Sequence, residues 1–243
     1  MAVPGTWNEF YSTDLQSFWA LLPVPALYLL WRAVRGRPRG VGALPAGAAF
    51  VDAYAIVFAL ETMLDPFATG PLMRLLGLAD TGAATAVMVA FVLLGDFRVY
   101  VLLFGLLAIA RGHAWRDGVP RAAAWTLLVP AVAYPLSLLV RAALPAADPN
   151  TVWLIYEALF VCVALWLRAR LVPQQVPPDQ PALRDFLREA LGYLALYYAL
   201  WAGADVLIQI AGLDVGWLLR VVPNQLYYAF WIPFVVARFF ARR

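Results

Sequence analysis

Residues 82–110, GAATAVMVAFVLLGDFRVYVLLFGLLAIA, decide the fold of this chain. Asp96 and Arg98 are the two charged side chains in this stretch, and the rest of it is almost wholly apolar. A run of about 20 apolar residues is enough for a helix to cross the hydrocarbon core of a bilayer. The stretch therefore predicts a membrane helix. It is longer than a crossing needs, and Gly95 beside the two charges predicts either a kink or an exit from the membrane at that point.

The composition of the whole chain agrees with this. Of its 243 residues, 64% are hydrophobic and 14% are charged, whereas about 25% of residues are charged in soluble proteins. All 18 basic residues are arginine, so a lysine imine of the kind found in retinal proteins and pyridoxal enzymes is excluded. One histidine, His113, and one cysteine, Cys162, are too few for a zinc or haem site. We expect no cofactor and no metal.

The apolar segments predict an all-α membrane protein with seven transmembrane helices in a single domain, residues 1–243. We expect its partners to be the lipid bilayer and an apolar or small-molecule substrate, with no nucleic acid, and its location to be a bacterial inner (cytoplasmic) membrane. The proline-rich stretch 172–181 is the predicted linker. The predicted helices cover Leu15–Trp31, Leu44–Asp65, Gly82–Ala110, Ala122–Leu144, Thr151–Leu167, Glu189–Ala211 and Val221–Phe240.

The distribution of arginine predicts the orientation of these helices. Arginine is concentrated in cytoplasmic loops, and most arginines of this chain follow the first, third, fifth and seventh predicted helices. We therefore expect the N-terminus outside and the C-terminus inside. The arginines in question are Arg32, Arg35, Arg37, Arg39, Arg111, Arg116, Arg121, Arg168, Arg170, Arg184, Arg188, Arg238, Arg242 and Arg243.

The first three and the last three predicted helices show a similar order of residues. Tyr54 followed by Glu61 matches Tyr198 followed by Asp205 at the same spacing. Two units in the same orientation, 13–111 and 151–243, would be linked by helix 122–144 in a 3+1+3 parallel repeat. Glu61 and Asp205 would then be equivalent positions at the interface of the units. Chance similarity between apolar sequences is the alternative.

Carboxylates inside the predicted helices are the candidates for function, because an Asp at the centre of a membrane helix costs about 2.5–3.5 kcal/mol. The helix rise places Glu61, Glu157 and Asp205 in one layer of the membrane, near its outer side. A dry pocket would favour the neutral form of one acid, which could then donate a proton. The candidate catalytic residues are Glu61 and Asp205. The candidate substrate-binding residues are Glu157, Gln209, Asn224, Gln225, Tyr198, Trp201 and Tyr228, and the candidate ion-pair partners are Arg74 and Arg220.

The arrangement resembles two groups of membrane cyclases. Pro223-Asn224-Gln225, followed by Tyr227 and Tyr228, is similar to an amide version of the Pro-x-Glu-Glu motif of membrane-bound lycopene (carotenoid) cyclases, although Pro-x-Glu-Glu itself is absent. One acid early and one late in the chain also resembles the seven-helix membrane terpene cyclases of fungal meroterpenoid pathways. The resemblance implies an acid that protonates an isoprenoid substrate, and aromatic faces that shelter the resulting cation.

Three other interpretations stay open at this stage. In the first, the acids and arginines form a purely structural network. In the second, the protein is a small-molecule or proton-coupled carrier or channel with the 3+1+3 repeat, and these residues bind ions or substrate. A non-catalytic sensor or assembly partner is the third. A closed aromatic pocket would favour chemistry, whereas a polar path that continues past Asp96 to the cytosol would favour transport.

Overall fold

The computed structural model describes residues 6–38, 42–145 and 148–241, and all regular elements in these ranges are helical. Six helices are long and apolar enough to cross a membrane. A seventh helix, α7, covers 215–240 and is not one of those six. The six are α1 (Leu15–Arg35), α2 (Pro45–Leu75), α3 (Gly82–Ala110), α4 (Trp115–Ala143), α5 (Thr151–Gln175) and α6 (Pro181–Ile210).

Helix α3 begins and ends where the sequence predicts. The hydroxyl of Thr81 accepts a hydrogen bond from the backbone amide of Ala84 at 3.4 Å, which caps the first turn. Gly112, with a φ of 80°, follows the last turn in the left-handed conformation that favours glycine. Between these residues α3 is one uninterrupted α-helix that runs through Gly95. Asp96 and Arg98 are buried against neighbouring helices.

Several helices are longer than predicted. Helix α5 continues through Val172–Gln175 and α6 begins at Pro181, so the linker expected at 172–181 is reduced to a short turn. Proline at the start of a helical turn is tolerated because the first amides need no helical partner. Helix α2 also continues past Pro66 and Pro71 through the π-helical stretch Ala68–Leu72. Helix α7 consists of Val215–Asn224, the π-helical stretch Gln225–Phe230 and Trp231–Phe240.

Helices that follow one another in the chain pack side by side from α2 to α7, and α7 returns to contact α2. The second half of α3 is the centre of the bundle, since every residue from Val99 to Leu107 is buried. The first half of α3 lies at the outside of the bundle, where Met88 is 38% exposed. One helix therefore reaches from the surface into the core, and Asp96 and Arg98 lie where the two halves meet.

The bundle has one arginine-rich end. Arg111 donates a hydrogen bond to the carbonyl oxygen of Gln175 at 2.8 Å, and Arg168 donates to the carbonyl oxygen of Arg188 at 3.1 Å. Arg32 forms an ion pair with Asp52 at 2.7 Å. At the opposite end, Asp214 accepts hydrogen bonds from the first residues of the short helix Thr6–Tyr11. Arg39, Arg242 and Arg243 lie outside the described residues.

The outer surface between these ends is apolar. Leu27, Leu60 and Leu139 are 62%, 54% and 67% exposed, and many other large apolar side chains are equally accessible. Monomeric soluble proteins rarely expose contiguous apolar patches of this kind. The long apolar helices and this surface are those of an integral membrane protein.

Candidate functional site

A cavity of about 360 Å³ lies toward the end of the bundle opposite the arginine-rich one. This volume falls in the range of small-molecule sites, which is about 300–1,000 Å³. Helices α1, α2, α3, α5, α6 and α7 contribute side chains to its wall, and so does the segment before α1. Met88 and Val92 border the cavity on the partly exposed half of α3. Its aromatic lining residues are Tyr11, Trp153, Tyr156, Tyr198, Trp201, Tyr227 and Tyr228.

Gln16 and Glu157 in the cavity wall have hydrogen-bonding atoms that the protein leaves unpaired, as does Arg220 through its Nε. Gln16 is 1% exposed, and neither atom of its amide group has a hydrogen-bond partner. Glu157 is 4% exposed, and its Oε2 has no partner either. Buried polar atoms are nearly always hydrogen-bonded. A ligand or solvent molecule in the cavity is therefore the natural partner of both side chains.

Arg220 lies closer to one of its two acidic neighbours than to the other. Its Nη1 lies 2.5 Å from Oδ1 of Asp205, whereas its Nη2 lies 3.8 Å from Oε1 of Glu157. Gln209 donates a second hydrogen bond to Asp205 at 2.9 Å, as their spacing on one face of α6 predicts. Asp205 is fully buried and does not line the cavity. It binds Arg220 closely and leaves Glu157 as the acid that faces the cavity.

A chain of two hydrogen bonds, from an indole to an amide to a phenol, connects α6, α7 and the N-terminal segment. Trp201 Nε1 donates to Oδ1 of Asn224 at 2.9 Å, and Asn224 Nδ2 donates to the hydroxyl of Tyr11 at 3.1 Å. All three residues line the cavity. Gln225, the next residue, points away from it and donates to the carbonyl oxygen of Ala20 at 3.3 Å.

Asp96 lies deeper in the bundle, behind two tyrosines of the cavity wall. The hydroxyls of Tyr156 and Tyr198 donate hydrogen bonds to Oδ2 and Oδ1 of Asp96 respectively. Asp96 is fully buried. The two tyrosine rings thus separate Asp96 from the cavity and also connect it to the cavity through their hydroxyls.

Arg98, two residues further along α3, has different partners. Its Nη2 donates to the carbonyl oxygen of Tyr227 at 2.6 Å, and its Nη1 lies 3.6 Å from Oε2 of Glu61. Arg98 is fully buried, so Glu61 is its neutralising charge. Asp65, one turn beyond Glu61, accepts a hydrogen bond of 3.5 Å from Thr69 and faces the hydroxyl of Tyr228.

The π-helical stretch of α7 makes these contacts possible. A π-helical turn is wider than an α-helical turn and is frequent at functional sites. Here the carbonyl oxygens of Leu226 and Tyr227 accept hydrogen bonds from outside the helix, from Tyr193 at 3.0 Å and from Arg98. Gly95 faces the same stretch, and a Cβ atom there would overlap the hydroxyl of Tyr227.

The predicted site residues fall into two groups. Glu157, Tyr198, Trp201, Arg220, Asn224 and Tyr228 line the cavity, whereas Glu61, Asp205, Gln209, Gln225 and Arg74 do not. Glu61 and Asp205 are not brought together, because each is paired with its own arginine. Arg74 pairs with Asp14 at 2.6 Å and not with the buried acids.

Gln16, Tyr156, Asp96 and Arg98 are absent from the predicted site residues, as are the cavity-lining residues Tyr11, Trp153 and Tyr227. The sequence does indicate Asp96 and Arg98, because charged residues in the middle of an apolar helix are candidates for function. It does not indicate Gln16 and Tyr156, because their role depends on which helices are neighbours. Among the described residues, no cluster of His, Cys, Asp and Glu side chains could hold a metal ion.

No family model, curated protein or solved structure matches this chain.

Proposed function

We propose that this protein is an intramembrane enzyme that isomerises or cyclises an apolar isoprenoid substrate by acid catalysis, with Glu157 as the proton donor. The observation that carries the proposal is the unpaired Oε2 of Glu157 in a cavity walled by aromatic rings. The sequence assigned the catalytic role to Glu61 and Asp205. Glu61 is paired with Arg98 and Asp205 with Arg220, and neither acid lines the cavity, so the proposal transfers the role to Glu157.

The chemistry requires an acid in its neutral form and a surface that stabilises a cation. Glu157 is buried, and its nearest arginine is held more closely by Asp205. Its carboxyl proton adds to a substrate double bond, whose π electrons form the new C–H bond and leave a carbocation. The faces of Trp201, Tyr227 and Tyr228 then stabilise that cation through their π electrons.

The route of the substrate supports the same interpretation. Met88 belongs to the cavity wall and is exposed on the outside of the bundle. An apolar molecule dissolved in the bilayer can therefore enter beside the first half of α3 without passing through water.

The test uses Glu157→Gln in protein reconstituted into liposomes with geranylgeraniol as the probe. Glu9→Gln is the matched control, because Glu9 is exposed and outside the cavity. In heavy water the parent and the control should give isomeric products that carry deuterium. Glu157→Gln should lower the rate by on the order of 10²–10⁴, the usual contribution of a positioned acid. Equal conversion by Glu157→Gln and the parent would rule out Glu157 as the donor.

A proton-coupled carrier is the second candidate, and one observation favours it. A larger cavity of about 870 Å³ lies at the arginine-rich end, and Tyr54 is part of its wall. Tyr54 interacts electrostatically with Arg98 and Glu61, and Arg98 reaches Tyr227 in the wall of the first cavity. These buried polar groups form a series between the two cavities. Proton flux into dye-loaded liposomes that Glu61→Gln abolishes and Glu9→Gln preserves would select the carrier.

We also propose the membrane arrangement that the sequence predicts, with α7 as a seventh crossing and the N-terminus outside. Helix α7 contacts both α2 and α6 and closes the bundle. Two ion pairs support the 3+1+3 repeat. Glu61 of α2 pairs with Arg98 of α3, and Asp205 of α6 pairs with Arg220 of α7, so each pair joins the second and third helices of one unit. A bacterial inner membrane is the location we propose.

Labelling of single cysteines tests the orientation. In a Cys162→Ser background, Pro149→Cys and Asp179→Cys place one thiol at each end of the bundle, at exposed positions. An impermeant maleimide applied to intact cells should label the first variant and spare the second. The reverse pattern would establish the opposite orientation.

A further inference from the structure

The second half of the proposed reaction needs a group that takes a proton away from the carbocation. Glu157 has given up its proton at that stage, and its nearest arginine, Arg220, lies 3.8 Å away. Asp96 is the acid behind the cavity wall that accepts hydrogen bonds from two of the wall's tyrosines. It is fully buried on α3 and lies behind the rings of Tyr156 and Tyr198.

Asp96 accepts a hydrogen bond on each of its carboxyl oxygens, which is the arrangement that the ionised form requires. Both tyrosine hydroxyls donate, and each carboxylate oxygen accepts one of them. No arginine lies within ion-pair distance of Asp96 among the described residues, because Arg98 is engaged with Tyr227 and Glu61. The two hydroxyls are therefore the hydrogen-bond partners of Asp96, and both tyrosines line the cavity.

The rings of both tyrosines are fixed by neighbouring aromatic side chains. Phe160 stacks on Tyr198 with a centroid distance of 4.5 Å and lies 5.0 Å from the ring of Tyr156. Trp201 lies 5.5 Å from the ring of Tyr198 on the cavity side. These ring contacts hold the two hydroxyls in place. A group that removes a proton from one particular carbon needs such a fixed position.

We propose that Tyr156 and Tyr198 are the catalytic bases that end the reaction, and that Asp96 positions their hydroxyls and receives the proton. A tyrosine oxygen takes a proton from the carbon next to the cationic centre while its own hydroxyl proton moves to Asp96. The electron pair of the broken C–H bond forms the new double bond. Asp96 is then neutral and Glu157 is ionised, and return of one proton through water in the cavity restores both. This inference rests on the function proposed above.

The test measures which products form as well as how much product forms. Asp96→Asn, Tyr156→Phe and Tyr198→Phe are compared in liposomes with geranylgeraniol in heavy water. Without the acceptor the cation persists and is captured by water, so the ratio of alkene to hydrated product should fall by about tenfold or more, because a positioned base contributes on the order of 10² or more to proton transfer. The deuterium introduced from Glu157 should still appear in the products.

Tyr100→Phe is the matched control. Like Tyr156 and Tyr198, Tyr100 is a buried tyrosine. It lies on α3, its hydroxyl has no hydrogen-bond partner, and it does not line the cavity. Its product ratio should equal that of the parent. The tyrosine variants keep their rings, so they report on the hydroxyls even where Asp96→Asn fails to fold.

Three results are distinguishable. A shifted ratio in the Asp96 and tyrosine variants, with Tyr100→Phe unchanged, supports the inference. An unchanged ratio with normal deuterium uptake overturns it and leaves Glu157 in its role. A parent protein that gives no product dependent on Glu157 overturns the proposed function and this inference together.

Discussion

The guanidinium group of Arg98 lies 4.0 Å from the centroid of the Tyr227 ring and donates a hydrogen bond of 2.6 Å to the carbonyl oxygen of the same residue. One residue of α7 thus contacts the buried charge of α3 through both its ring and its backbone. The π-helical stretch presents this carbonyl oxygen to α3, and Gly95 leaves room for the tyrosine hydroxyl. The packing of α3 against α7 therefore depends on these three residues together.

Gly95→Ala should destabilise the protein because its methyl group overlaps the hydroxyl of Tyr227. Overpacking of a core costs about 1–3 kcal/mol in free energy of unfolding. Tyr227→Phe in the same chain removes the overlapping oxygen and should recover part of the loss. The measurement is denaturant unfolding in detergent. Gly203→Ala is the control, since nothing lies within 4 Å of the added Cβ, and it should not destabilise. Equal effects of the two alanines would contradict the close contact.

Arg98→Met should be strongly destabilising because it leaves Glu61 buried without its positive partner. Breaking a buried ion pair from one side costs about 3–5 kcal/mol. The double variant Arg98→Met/Glu61→Gln removes both charges and should be more stable than Arg98→Met alone. Arg74→Met serves as the control, because the Arg74–Asp14 pair is about half exposed and such pairs contribute about 0–1 kcal/mol. Thermal unfolding of the four proteins gives the comparison.

Arg220 should be coupled more strongly to Asp205 than to Glu157, since the two distances are 2.5 Å and 3.8 Å. Double-mutant cycles with Arg220→Met, Asp205→Asn and Glu157→Gln measure both couplings through the free energy of unfolding. Contacting charged residues typically give interaction energies of about 0.5–3 kcal/mol. We expect the Asp205 cycle near the upper end and the Glu157 cycle near the lower end. The opposite order would mean that Glu157 is the main counter-ion, and the proposed proton donor would lose its support.

Asp214→Ala should loosen the N-terminal helix, because Asp214 accepts hydrogen bonds from the backbone amides of Trp7 and Asn8 at 3.0 Å and 3.3 Å. Hydrogen bonds to charged groups contribute about 1.5–3 kcal/mol each when buried and less at an exposed site such as this. Amide hydrogen exchange of residues 7–17 should become faster in this variant, with α3 unchanged. Asp179→Ala, at the arginine-rich end, is the control and should leave that exchange as it is. Because Tyr11 and Gln16 line the cavity, faster exchange should be accompanied by weaker retention of an apolar ligand.

Much of the fold could be predicted from the sequence. The bounds of α3 follow from its apolar run, the threonine before it and the glycine after it, all of which act within a few residues. The predicted bounds of α5 and α6 differ more from those observed. Prolines such as Pro173 indicate a linker by composition, but a helical turn can begin with proline. The last helix was predicted to begin at Val221, whereas α7 begins at Val215 and is not one of the six helices that are long and apolar enough to cross a membrane.

The candidate site could be predicted only in part. The pairing of Asp205 with Gln209 follows from their spacing on one helix. Which acid faces the cavity could not be inferred, because it depends on which arginine each acid meets. Glu61 meets Arg98 and Asp205 meets Arg220, and neither contact joins positions with a regular sequence spacing.

The sequence by itself determined that this chain forms apolar membrane helices with acids inside them, because hydrophobicity and helical spacing are local properties. Only the tertiary structure decided what the acids do. It placed Asp205 and Glu61 against arginines, directed Glu157 into an aromatic cavity, and put Asp96 behind Tyr156 and Tyr198. The physical reason is that the partner of a buried charge is set by the packing of helices that are distant in the chain, which spacing along a single helix does not specify.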